Sequence, residues 1–447
     1  MNRPGVLGLS IQNNELRMRW IMWLLLVSLH LITSFHRVSF NVVADLLTAE
    51  FALTGAGLGN LAAAYTYMYV VMQIPGGVMV DRLGPKRIAL LTGILMAAGS
   101  VCIGFAPSAS LVFFGRLLIG MGGSVVLINI LKFQASWFKS AEFATVSGLA
   151  LLVSGTGALL GATPLAYAVD LVGWRSSFIY MGAATFLVAL ICFVYVRNQP
   201  LKRGHGMESK PGNNNPEESE QDFSLKKVLA ALSNRRLWSP FLINFGTYGG
   251  FIVFSGTWGV SYLVHVYGLE VARASTVMVL TYLGYMVAAP MVGFLSDRIG
   301  SRKIPAVCLV SFCSIFWLVL AVWPGGVLPL ALLYIFSFFL GAGAASTVLS
   351  FPMAREVSLP GYTGSVTAAV NLGVFLGLAI LQPLFGFVLD LGWDGTLVEG
   401  ARIYPLYAYR FGFLVCLLFA VIALVAALFY REPKAKTCCS SRCHSPR

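Results

Sequence analysis

Gly77-Val78-Met79-Val80-Asp81-Arg82-Leu83-Gly84-Pro85-Lys86-Arg87 is echoed later in the chain by Gly293-Phe294-Leu295-Ser296-Asp297-Arg298-Ile299-Gly300-Ser301-Arg302-Lys303. The two aspartates lie 216 positions apart (297 − 81), close to half of the 447 residues. Each copy closes one apolar stretch and opens the next. A charged turn that occurs twice inside an otherwise apolar chain points to a duplicated, membrane-embedded unit.

The composition agrees. Hydrophobic residues make up 57% of the chain and charged residues only 11%, against about 25% charged in a soluble protein. Twelve apolar stretches can be read, at 19–46, 57–80, 87–106, 110–132, 143–168, 174–196, 238–265, 275–296, 303–323, 327–351, 362–389 and 406–430. Nearly all reach the ~20 residues that a helix needs to cross a bilayer. Helices are expected because backbone groups in lipid must be satisfied within each segment. The ~10-residue alternating strands of a membrane barrel are absent. The expected fold is therefore an all-α membrane protein of twelve spans in two six-helix bundles, 1–196 and 238–430, with a cytoplasmic linker at 197–237 and a cytoplasmic tail at 431–447.

The net charge of +13 records topology. With the N-terminus inside, 25 of the 31 Lys and Arg fall on one side. Arg175, Arg273, Arg402 and Arg410 fall on the other, and Arg37 and Arg116 sit within spans. This bias puts both termini in the cytoplasm and removes the case for a nucleic-acid partner. No cleavage site follows the first apolar stretch, which is kept as span one. Cys438, Cys439 and Cys443, beside His444, match no zinc spacing. No metal or cofactor is expected. Within the linker, Gly212 to Glu220 is flexible in composition. From Phe223 to Leu237, Leu225, Val228, Leu229 and Leu232 share one helical face flanked by Lys226 and Lys227, so this segment should lie on the inner membrane surface.

The halves correspond beyond the charged turn. Gly120 and Gly122 match Gly341 and Gly343, Gly157 matches Gly377, and Gly173-Trp174 matches Gly392-Trp393, all at offsets of 219 to 221. Six is an even number of spans, so both halves enter the membrane from the same side. They can be related by an axis along its normal, with a solute bound between them.

These residues resemble the major facilitator superfamily over essentially the whole chain. The turn between spans two and three is similar to that family's most specific motif, with a weaker second copy in the expected place. Arg116-x-x-x-Gly120-x-Gly122 resembles its span-four motif. Gly157-x-x-x-Gly161 with Pro164 resembles part of the span-five antiporter motif, but the proline is displaced. The resemblance implies that Asp81 faces the start of span eleven near Tyr362, and that Asp297 makes the mirror contact to span five. It also implies that Arg82, Arg87, Arg298 and Arg116 belong to the gating machinery. A carboxylate at a helix N-terminus is a favourable contact of roughly 0.3–1 kcal/mol when exposed, and breaking such latches would let the halves rock.

Span one carries the sharpest chemical clue. His30, Ser34, Arg37 and Asn41 are spaced by four, three and four, which places them on one face of a helix. Asp45 extends the stripe. An Arg within a span is costly and should face a cavity, and its planar fork suits a carboxylate or phosphate. Arg37 is the candidate anion-binding residue. The rival readings pair it with Asp45 or let it reach the outer interface. Phe35-His36-Arg37-x-x-Phe40 resembles the first span of the organophosphate and organic-anion carriers of the superfamily. The second arginine found on span seven of phosphate exchangers is absent from Tyr248 to Trp258, which favours a carboxylate or zwitterion over a phosphate ester.

Further candidates line the same cavity: Tyr65, Tyr69 and Gln73 on span two, Tyr248 and Trp258 on span seven, Tyr282 on span eight and Asn371 on span eleven. By these boundaries no Asp or Glu lies mid-span, so proton coupling would fall to His30 or His36. The expected function is secondary transport of a small anionic or zwitterionic organic solute by alternating access, in a monomer surrounded by lipid. The alternatives are a dipeptide or amino-acid facilitator, or a membrane solute sensor on a carrier fold. No HExxH, phosphate-binding glycine loop or nucleophile–base pair indicates an enzyme. A multi-pass protein of the cell membrane is expected.

Overall fold

A computed structural model describes residues 5–199, 233–324, 326–357, 363–398 and 400–432. The linker helix expected from Phe223, Tyr362 at the start of span eleven, and the tail cysteines lie outside these residues, apart from the linker's last few. The described chain is helical except for its turns and one short antiparallel pair, Leu397–Val398 with Ala401–Arg402.

Among the described residues, eleven segments are long and apolar enough to cross a membrane. One of them, Pro75–Gly104, contains the charged turn. It belongs to a longer helical run, Gly55–Gly104, that breaks at Gly84 (φ 74°, ψ 166°). Contacts to span four show that the chain reverses there. Gly120 packs on the Tyr65 carbonyl and Gly122 on that of Thr92. Tyr65 and Thr92 would be about 40 Å apart along an unbroken helix, yet they meet the same turn of one neighbour. Only glycine adopts this backbone freely, and a Cβ at Gly84 would strike the Asn198 side chain at 2.8 Å.

Twelve crossing helices result. Span one lies in Gly5–Phe51, spans two and three flank Gly84, span four is Ala109–Trp137, and span five is Ser140–Leu160 continued by Thr163–Val172. Span six is Trp174–Tyr195. Span seven runs Trp238–Val253, through a π-helical turn at Phe254–Trp258, to Gly259–Tyr267. Span eight is Val271–Ile299, nine Lys303–Val322, ten Leu330–Ala344 with Ser346–Glu356, eleven Thr363–Leu391 and twelve Leu406–Phe429.

The duplication is visible in the packing. Span four meets span two through Gly120 on the Tyr65 carbonyl, and span ten meets span eight through Gly341 on the Thr281 carbonyl. Gly157 of span five abuts the Leu31 carbonyl, and Gly377 of span eleven abuts that of Phe245. Gly122 and Gly343 approach spans three and nine in the same way. Lipid tails are as apolar as leucine, so helices in a membrane associate through close backbone approach of this kind. The repeated glycines are thus the contacts that hold each half together.

Candidate functional site

Arg37 projects from span one into the centre of the molecule. Its Nη1 donates to the Tyr248 hydroxyl and its Nη2 to Ser34 Oγ, each over a long 3.5 Å. Its buried Nε has no hydrogen-bond partner. Among the described residues no carboxylate lies within ion-pair distance of it. Around it stand tyrosines from both halves: Tyr65 and Tyr69 on span two, Tyr248 on span seven and Tyr282 on span eight. Tyr285 of span eight completes the wall, stacked on Phe251 with centroids 5.5 Å apart.

Asp45 does not serve as the counter-ion. Its Oδ1 accepts from Ser261 Oγ at 2.6 Å, and its Oδ2 lies 3.7 Å from His265 Nε2. Both partners belong to span seven. The half-buried guanidinium therefore has only long hydrogen bonds to two neutral hydroxyls and, among the described residues, no carboxylate to supply a bidentate ion pair.

The remaining span-one candidates divide. His30 is buried, with an unpartnered Nδ1, within electrostatic reach of Arg37. Ser34 shares a hydrogen bond with Ser154 of span five. Asn41 is spent on backbone: its Nδ2 donates to the Ser255 carbonyl at 2.9 Å, and its Oδ1 faces the Val260 N–H at 3.4 Å. Those groups flank the π-helical turn, whose wider hydrogen-bonding pattern leaves backbone groups for a side chain to meet. His36, just before Arg37, is buried with both ring nitrogens unpartnered.

Across the cavity, Tyr69 stacks on Phe375 of span eleven with centroids 3.9 Å apart, closing the space between the halves. Gln73 and Asn371 are half-buried on spans two and eleven. Trp258 is buried away from Arg37, against Phe385 and Tyr404.

Trp258 belongs to a second layer at the end of the molecule opposite the charged turns. Asp390 of span eleven accepts the Gly55 and Ala56 N–H groups at 2.7 and 2.8 Å, capping span two. It also accepts from Tyr404 Oη and Arg402 Nη1. Gly55 touches Gly386, and Gly59 packs on the backbone of Gln382 and Pro383. The hydrogen bonds and ion pairs identified between described residues of the two halves all start from residues 37–56.

At the end that carries the charged turns, pairing stays within each half. Asp81 meets Lys132 of span four at 2.6 Å. Asp297 meets Arg302, which also reaches Glu356. Among the described residues neither aspartate reaches the opposite half, and Tyr362, the expected neighbour of Asp81, lies outside them. Arg82, Arg87 and Arg298 are exposed. Arg116 is buried and donates to the carbonyls of Leu61, Ala62 and His36, tying spans one, two and four together.

Ser154, Phe375 and Asp390 are not among the site residues expected from the sequence. Phe375 and Ser154 look like ordinary span residues. Asp390 carried a usable signal, since an acid at a span's end is available to cap a neighbouring helix.

Comparison with known proteins places this geometry. The Major Facilitator Superfamily profile matches residues 26–272 and 241–442. The chain is 24% identical over 372 residues to the probable sulfoacetate transporter of Cupriavidus necator, covering 81% of this chain and 85% of that one. It is 25% identical over 324 residues to the probable galactarate/D-glucarate transporter of Bacillus subtilis, covering 66% and 70%. The fold matches the crystal structure of a bacterial homolog to the human lysosomal transporter Spinster in an inward-facing, unoccupied conformation, with TM-score 0.70, 18% identity, and 92% and 96% coverage. The duplicated turn, the twice-repeated glycine contacts and a family match spanning both halves lead to one conclusion: this chain belongs to the major facilitator superfamily of membrane transporters, which are carriers and not enzymes.

Proposed function

We propose that this carrier moves a small organic anion of the carboxylate or sulfonate class, and that Arg37 reads the negative charge. The observation that carries the proposal is the unpaired guanidinium: half-buried between the halves with its Nε buried and unpartnered, held by two long hydrogen bonds to neutral hydroxyls, and without a carboxylate among its described neighbours. An uncompensated charge in such a place is costly. An anionic solute removes that cost while it is bound, and the tyrosine hydroxyls can serve its remaining oxygens. The two relatives, a probable sulfoacetate transporter and a probable galactarate/D-glucarate transporter, support this solute class. A dipeptide would also need an acceptor for its ammonium group, and the nearest acid on span one, Asp45, is engaged by Ser261 and His265. The anion is the better reading.

Transport by alternating access follows from where the halves touch. Among the described residues the end with Asp390 is bonded across the halves and the end with Asp81 is not, which is the inward-facing arrangement if the charged turns lie in the cytoplasm. Both termini are then cytoplasmic, and one chain builds the whole site. We assign coupling to a proton carried by His30, within reach of Arg37, or by His36, which packs against Phe178 and faces Arg116. Thermal unfolding of the purified protein with sulfoacetate, glucarate and a neutral sugar tests the solute class, because a ligand that binds the folded state stabilises it. The acids should stabilise the wild type and leave Arg37→Ala unmoved, with Arg37→Lys between them. Unchanged affinity in Arg37→Ala removes the site. Proteoliposome uptake with and without an inward-acid pH gradient tests coupling, and equal initial rates would exclude proton symport.

A further inference from the structure

Two grooves of nearly equal size run along the outer, membrane-facing side of span twelve. One, about 540 Å³, lies at the Asp390 end and is lined by apolar residues and Tyr407. The other, about 530 Å³, lies at the charged-turn end between spans seven and twelve. Its walls include Leu242, Val425 and Phe429, but its rim carries Arg235, Arg236 and Arg431. All three arginines are exposed. The nearby carboxylates are committed elsewhere: Glu432 accepts from Ser301 and the Arg302 and Lys303 N–H groups, and Glu356 from Arg302 and Tyr430. Among the described residues none of the three rim arginines forms an ion pair with an acid.

The groove's floor is already satisfied, because Ser239 Oγ donates to the Ala426 carbonyl at 2.6 Å. An occupant therefore needs an apolar body and an anionic head. From Val421 to Arg431 the groove extends roughly 15 Å along span twelve, the depth of one leaflet of a ~30 Å hydrocarbon core.

We propose that this groove is a binding site for an anionic glycerophospholipid. Its phosphate sits among Arg235, Arg236 and Arg431, and an acyl chain lies against Leu242, Val425 and Phe429. Scattered basic residues attract anionic lipid anywhere on such a surface. What distinguishes this place is three guanidiniums at the mouth of a groove deep enough for a chain. Its twin at the Asp390 end has the depth without the charge. The lipid would bridge the start of span seven and the end of span twelve, two helices of the same half.

Trp238 also lines the groove, which gives a local reporter. The full-length protein is reconstituted in phosphatidylcholine vesicles containing either brominated phosphatidylglycerol or brominated phosphatidylcholine at the same low mole fraction, and tryptophan quenching is read. The anionic lipid should quench at a several-fold lower mole fraction. The excess should vanish in Trp238→Phe and in the triple variant Arg235→Gln/Arg236→Gln/Arg431→Gln, and largely survive when all three become Lys. Helical circular dichroism and solute-induced thermal stabilisation of each variant establish that it is folded. Equal quenching by the two lipids, or an excess that persists in the triple Gln variant, overturns the proposal. So does an excess that appears only after deletion of residues 223–232, because the chain's own linker would then be the occupant.

Discussion

The two ends of this carrier are built from similar parts and used differently. At one end Asp390 crosses between the halves to cap span two, supported by Tyr404 and Arg402. At the other, Asp81 and Asp297 are equally placed to cross, yet each pairs inside its own half. On the proposed alternating-access reading, an acid at a helix end acts as a connector that engages in one conformation and releases in the other. The same holds for glycines. Gly59 and Gly386 meet backbone of the other half, whereas Gly120 and Gly341 meet backbone of their own.

The sharpest way to break this comparison is to place the same wedge in both kinds of contact. In Gly59→Leu the new side chain strikes the backbone of Gln382 and Pro383, which cannot move aside without separating the halves. Each half remains packed, so the protein should fold but stay open at the Asp390 end, and uptake should fall by about a hundredfold or more. Gly120→Leu strikes the Tyr65 carbonyl within the N-terminal half. Overpacking of this kind costs 1–3 kcal/mol or more, so this variant should lose folded protein instead of locking it. Yield of monodisperse protein, together with labelling of a cysteine at Ser255, separates the two outcomes. If both variants fold and transport, the glycine contacts are not the hinges assigned here.

Asp390→Asn comes next in size. It weakens two backbone caps and the contact to Arg402. With hydrogen bonds to a charged group worth about 1.5–3 kcal/mol each and part of that retained by the amide, a loss of about 2 kcal/mol is expected. That moves the balance between closed and open about thirtyfold toward an open Asp390 end. The labelling rate of Ser255→Cys should rise accordingly. Asp81→Asn should differ in kind. Its ion pair with Lys132 is exposed and worth at most about 1 kcal/mol in this conformation, so folded stability should barely change. Uptake should still fall about tenfold if Asp81 serves the opposite conformation by capping span eleven. Uptake at the wild-type rate would reduce Asp81 to a membrane-surface anchor.

Much of this was legible in one dimension. The duplicated turn, the apolar run lengths and the matched glycines specify a twelve-span, two-half carrier, because each signal is local or repeats at a fixed offset. The spacing of His30, Ser34, Arg37 and Asn41 put them on one face of span one. It could not assign their uses, because each partner lies far along the chain. Asn41 is consumed by Ser255 and Val260, 214 and 219 positions away, at a π-helical turn that has no sequence signature. Asp45, read as a rival partner for Arg37, is held by Ser261 and His265 of span seven, also more than 200 positions away. The implied contacts of Asp81 and Asp297 run to residues at the starts of spans eleven and five, and Tyr362 among them lies outside the described residues.

The smallest effect tests whether the Asp81 end is as self-contained as its pairing suggests. Span nine begins at Lys303, where Glu432 accepts the Arg302 and Lys303 N–H groups and the Ser301 hydroxyl. Partial burial pushes this carboxyl up, but the Lys303, Ser301 and Arg302 hydrogen bonds outweigh it and hold it below the ordinary glutamate value. A lowered folded value means that the cap stabilises fully above the ordinary glutamate pKa, and is lost as the pH falls through the lowered one. The corresponding turn of the other half uses Asn198, whose Oδ1 accepts the Lys86 N–H at 3.0 Å and carries no charge to lose. Glu432→Gln should therefore remove a shallow acid-dependent step from thermal stability, worth about 0.3–1 kcal/mol for an exposed helix terminus and less in salt. Asn198→Asp should introduce a similar step. Because both caps lie within one half, neither variant should alter the labelling rate at Ser255→Cys. A change there would show that the two ends of the carrier are coupled through the packing of a single half.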